Sequence, residues 1–80
     1  MSTTYVAVTP TLVKATSPGK TSAGTLSIPG LQVGDILIKT IPDGFCSGYE
    51  DVVSVVDQIN QNTDLDWSPV VITFLFLRGV

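Results

Sequence analysis

The chain has 80 residues, with four lysine or arginine side chains against seven aspartate or glutamate, no histidine, and a net charge of −3. With 44% hydrophobic and 14% charged residues it carries enough apolar material for one compact domain over residues 1–80, which excludes a disordered chain. A single cysteine excludes an internal disulfide, and without histidine or a second thiol a metal would need an all-oxygen site, so no metal or other cofactor is expected.

A domain of this length buries only about 60–65% of the surface its unfolded chain exposes. With no disulfide or zinc to support the core, self-association is the remaining aid to stability. Met1-Ser2-Thr3-Thr4 opens a polar stretch with no basic segment ahead of an apolar one, so no secretory leader is expected and synthesis in the cytoplasm is. The longest apolar run, residues 70–77, is eight residues against about 20 for a helical span, so no membrane partner is expected.

Eleven valines, six isoleucines and ten threonines make 27 of the 80 residues β-branched, against three alanines, and the expected class is all-β. Residues 1–24 read as an N-terminal arm and loop. Within them Thr4–Thr9 alternates as a strand that Pro10 ends or confines to an edge, and Thr11–Thr16 resumes in extended form. Ser17–Gly24 has turn chemistry throughout, as a loop or wide hairpin. Thr25–Ile28 alternates again, and Pro29-Gly30 turns the chain.

Ile36–Ile41 is the next strand, with Ile36 and Ile38 on one face and Leu37, Lys39 and Ile41 on the other, ended by Pro42-Asp43-Gly44. Phe45 and Tyr49 flank a short loop and are placed to fold back over the core. Residues 49–60 support two assignments. Ser47 with Glu50 fits a capping box, and Tyr49, Val52, Val53, Val56 and Ile59 repeat at helical spacing; four valines among residues 52–56 favour a strand, which is the assignment adopted. A polar loop follows over 60–66.

The last strand, from about Trp67 to Arg78, is apolar on both faces: Val70, Ile72, Phe74 and Phe76 on one, Val71, Leu75 and Leu77 with Thr73 on the other. One face of each sheet in a small sandwich ordinarily meets water, so such a strand asks for a second cover. That cover is a neighbouring subunit or a helix formed by residues 49–59. The expected fold is a small antiparallel β-sandwich or barrel-like domain, with any helix confined to 49–60. The expected interface draws on Phe74, Phe76, Leu75, Leu77, Trp67, Phe45 and Tyr49.

Catalytic motifs fail on spacing. Gly19-Lys20-Thr21 lacks the glycine a phosphate loop needs at position 14, which holds Lys14, and a nucleophile elbow over 44–48 would put serine where Cys46 stands. Cys46 has no histidine to act as its base and reads as small filler. Asn60, Asn62, Asp64 and Asp66 alternate like the start of a calcium loop, but the glycine position holds Leu65 and the terminal acid position Val71. Residues 1–40 sum to +2 and residues 41–80 to −5, with no basic stripe, so a nucleic-acid partner is not expected. The chain is expected to be no enzyme.

The segment from Leu26 to Leu37, Leu-Ser-Ile-Pro-Gly-Leu-Gln-Val-Gly-Asp-Ile-Leu, followed by Val55–Gln61 and a terminal apolar strand ending Leu77-Arg78, resembles small virion proteins of tailed bacteriophages over most of residues 24–80. The resemblance implies a β-sandwich that decorates or cements a capsid or sits at its fibres, made in the host cytoplasm and located in the virion. It implies further copies of itself, the major capsid protein, or both as partners. The alternative function is a ligand-binding or adhesion module with Trp67, Tyr49 and Phe45 as an aromatic platform.

Overall fold

The structure, a computed structural model, describes residues 3–79. Five strands form: β1 (Thr11–Pro18), β2 (Gly24–Ser27), β3 (Ile36–Ile41), β4 (Gln58–Gln61) and β5 (Val71–Arg78). The all-β class expected from the β-branched content holds. β5 is the central strand of a three-stranded antiparallel sheet ordered β1-β5-β3, and β2 and β4 form a separate antiparallel pair. The loop over 19–23 therefore closes no hairpin, because the strands on either side of it belong to different sheets.

The core draws on residues of both sheets. Ile72, Phe74 and Phe76 of β5, Leu37 of β3 and Ile59 of β4 are buried there with Ile28, Leu31, Tyr49 and Val53. Period-two alternation makes β5 work: every second residue goes inward, and Val71, Thr73, Leu75 and Leu77 go to the other face. β3 departs from strict alternation. A bulge between Leu37 and Lys39 inserts Ile38, so Leu37 and Thr40 both point inward while Lys39 and Ile41 stay outside.

Residues 49–60 form neither the strand nor the helix considered for them. Tyr49 bridges to Gln61 beside β4, and Val52 bridges to Ile36 beside β3. Backbone bonds continue each pairing: Glu50 N–H donates to Asn60 C=O at 3.0 Å, Leu37 N–H to Asp51 C=O at 2.8 Å, and Val53 N–H to Asp35 C=O at 2.8 Å. The segment thus passes from one sheet's edge to the other's within a few residues, and only Gln58–Gln61 becomes a strand. The four valines suit this because the backbone stays close to a pleated surface, while alternating partners end each ladder. Tyr49 and Val53 join the buried core, so this segment does not form the helical cover for the outer face.

Residues 4–9 are not a strand within this chain. A turn fixed by two side chains links β2 to β3. Asp57, at φ 62°, accepts from Gly30 N–H at 2.8 Å through its carboxylate. Asp35 accepts from Gln32 N–H at 2.9 Å. Arg78, at the end of β5, grips the same Asp35 through Nε at 2.9 Å and Nη2 at 2.8 Å, closing the bottom of the sheet onto that turn.

Candidate functional site

Cross-strand register defines the outer face of the three-stranded sheet. Leu12 lies beside Leu77 and Leu77 beside Ile36; Lys14 lies beside Leu75 and Leu75 beside Lys39; Thr16 lies beside Thr73 and Thr73 beside Ile41. Apolar residues thus fill the row nearest Arg78, two lysines bracket Leu75 in the next, and the third is threonine and isoleucine. Leu12 is 60%, Val71 61% and Ile41 51% exposed, while Leu75 and Leu77 are partly buried by their neighbours. No strand of this sheet carries an acidic residue on the face. Among the described residues nothing packs over it.

The seven residues expected at an interface divide on this geometry. Leu75 and Leu77 lie on the outer face. Phe74 and Phe76 are fully buried in the core and Tyr49 nearly so, which removes them from any contact surface. The reason is alternation: of two apolar faces on one strand, the aromatic one joins the buried core.

Phe45 and Trp67 are partly buried and form an aromatic cluster with Tyr49. The Phe45 and Trp67 rings meet edge to face at 4.7 Å between centroids, Tyr49 and Trp67 lie 5.6 Å apart, and Tyr49 meets Phe74 edge to face at 4.9 Å. The three residues do come together, as packing that closes one end of the core. Trp67 sits between two glycines. A Cβ on Gly48 would clash with the indole carbons Cη2 and Cζ3 of Trp67, and a Cβ on Gly19 would come within 2.5 Å of Trp67 Cβ and 2.7 Å of its carbonyl oxygen. No cavity opens beside the cluster among the described residues.

Gln61 is the polar counterpart of this cluster, and periodicity gave no sign of it. Its buried amide accepts from Lys20 N–H at 2.9 Å and from the Tyr49 hydroxyl at 3.1 Å, and donates to the carbonyls of Thr63 and Leu65, each at 3.0 Å. One side chain thereby holds the 19–23 loop and the 62–66 loop together. Burial pushes the Tyr49 phenol up to about 12. The usable signal in the sequence was a glutamine two residues after an apolar β-branched one, and so on the same strand face, inside an otherwise polar loop, a pattern too common to single out.

The carboxylates do not converge. Asp64 accepts from Ala23 N–H at 3.2 Å, Glu50 holds Asn60 and Ser54, and the hydroxyl and N–H of Ser68 hold the Asp66 carboxyl below its usual range. No group of three or more potential metal ligands forms among the described residues. Burial first, and then the nearby Asp51 and Asp43, raise the Cys46 thiol above its ordinary value, which favours the unreactive thiol form at neutral pH.

Comparison with protein-family models, with curated proteins and with solved structures finds no match to this chain.

Proposed function

We propose that this chain is a non-enzymatic structural module, acting as a small phage virion protein that decorates or cements a capsid, with further copies of itself, the major capsid protein, or both as partners. The observation that carries the reading is the outer face of the β1-β5-β3 sheet, where the second apolar side of the central strand is left without a cover. Apolar area removed from water stabilises an assembly by about 25 cal/mol per Å², and many symmetric copies multiply a modest contact. Lys14 and Lys39 beside Leu75 favour a partner surface that is apolar with acidic residues at its margin. The resemblance of residues 26–37 and 55–61 to phage virion proteins supports the same role. An aromatic ligand platform has less behind it, since Tyr49, its central member, is buried.

The test is co-sedimentation of the purified chain with empty shells of the phage whose genome carries the coding sequence. Leu75→Asp places a charge in the middle of the outer face without entering the core and should abolish co-sedimentation while leaving the far-ultraviolet spectrum unchanged. Failure of the unaltered chain to sediment with the shells, or equal binding by Leu75→Asp, would overturn the reading.

A further inference from the structure

Residues 3–9, Thr-Thr-Tyr-Val-Ala-Val-Thr, have the composition of a strand and no strand to pair with. Tyr5 is 90%, Val6 71% and Val8 54% exposed, and no backbone hydrogen bond joins this arm to another described residue. Side chains this apolar are left in water by their own chain. A complementary feature lies immediately beyond Pro10. β1 is eight residues long, pairs on one side with β5, and on the other side has no neighbour among the described residues.

The groups on that free edge can be identified. Gly19 N–H donates to Val70 C=O at 3.2 Å and continues the β1–β5 register, in which partner numbers sum to 89. In an antiparallel ladder hydrogen-bonded pairs alternate with non-bonded ones, so the odd residues of β1 bond to β5 and the even residues turn their N–H and C=O groups outward. Leu12, Lys14 and Thr16 thus present unpaired donors and acceptors along the edge. Pro18 has the same parity, and its missing N–H falls on the free side, where proline in a strand is tolerated. β3 offers less, because residues 51–53 already pair with 35–37 along its outer edge.

The arm cannot reach its own β1. Only Pro10 separates it from Thr11, and a hairpin needs at least a two-residue turn of suitable residues. We propose that residues 3–10 of one copy add as an antiparallel strand to the free edge of β1 in a second copy, and reciprocally, giving a closed twofold dimer. With partner numbers summing to 22, residues 4–10 of each copy then lie beside residues 18–12 of the other, and the two three-stranded sheets become one sheet of six strands. A twofold axis perpendicular to a sheet keeps residues of one parity on one face. Val6 and Val8 therefore join Leu12, Leu75 and Leu77, so the dimer extends the outer face across its axis. This deepens the assembly reading above, resting on it for the use of that face and adding a second copy as partner at a different contact.

Light scattering on the full chain, on a chain lacking residues 2–9, and on Thr16→Pro tests it. The full chain should have twice the 8.5 kDa mass of the single chain. The shortened chain should be monomeric with an unchanged β-sheet spectrum, since residues 3–9 bury nothing in the core. Thr16→Pro removes an outward N–H and leaves the odd-numbered ladder to β5, so it should be a folded monomer too. Leu75→Asp should remain dimeric, which separates this contact from the outer face. A full chain that stays monomeric at hundreds of micromolar, or a dimer that survives loss of residues 2–9, would overturn the proposal; the shortened chain decides the matter if proline unfolds β1.

Discussion

Gln61 shows how much a single polar side chain holds in a core this small. Its amide is buried and makes both acceptor and donor bonds to two loops that share no strand pairing with each other. Gln61→Leu keeps similar volume but leaves the Tyr49 hydroxyl and Lys20 N–H without an acceptor. Each buried donor left unsatisfied costs about 1–3 kcal/mol, so the variant should lose on the order of 3 kcal/mol in urea unfolding, with the slope unchanged. Tyr49→Phe removes only one donor and leaves Gln61 its bond from Lys20, so it should cost about 1 kcal/mol. A loss for Gln61→Leu no greater than for Tyr49→Phe would show that the loops are held by something else.

At the scale of elements, the strands with period-two apolar patterning were legible and those made by partner switching were not. β3 follows from residues 36–41 because flanking turns bound it closely, while β5, expected from about Trp67 to Arg78, begins only at Val71 because residues 67–70 form a turn. Residues 49–60 resist the same treatment: Tyr49 and Val53 go inward, spaced as in a helix, while the backbone pairs with two different sheets. Alternation puts Lys39 and Ile41 on the face of Leu37, and they lie on the opposite one, since the inserted Ile38 shifts the phase of all that follow. The two-sided apolar character of β5 announced an uncovered face, but the sequence alone could not say which side the core would take. The Asp35–Arg78 pair was equally hidden, because 43 positions separate its members.

That pair makes the end of β5 sensitive to acid. The Arg78 guanidinium, bonded to both oxygens of a buried carboxylate, holds Asp35 below the usual aspartate range against the opposing effect of burial, and Gln32 N–H helps. A depressed folded-state value means the unfolded chain takes up the proton more readily. The stabilisation is fully present above the unfolded aspartate value of about 3.9 and is lost as pH falls through the lower folded value. Thermal midpoints measured from pH 6 down to about 2 should therefore fall below pH 4, and Asp35→Asn, already lower at neutral pH, should show a shallower decline. Parallel curves for the two proteins would mean that other carboxylates govern the acid limb.

The whole molecule joins a modest core to large unused surfaces, and the two are linked. Among the described residues nine apolar side chains form the buried core, while the outer sheet face and the arm at Tyr5, Val6 and Val8 remain in water. A second chain that covers the arm and the β1 edge adds burial and backbone bonds that the single chain lacks. Any species that binds only the folded form raises its stability by mass action, and in a dimer the ligand is the protein itself. For folding coupled to dimerisation, a tenfold rise in concentration adds about 1.4 kcal/mol per dimer, or about 0.7 kcal/mol per chain. In a domain of this size that corresponds to a midpoint higher by about 3–5 °C. Melts recorded from about 10 μM to about 1 mM should thus climb in steps of that size, whereas the chain lacking residues 2–9 should melt lower and at one temperature throughout. A concentration-independent midpoint for the full chain would mean that the domain is stable alone and that the arm serves some other contact.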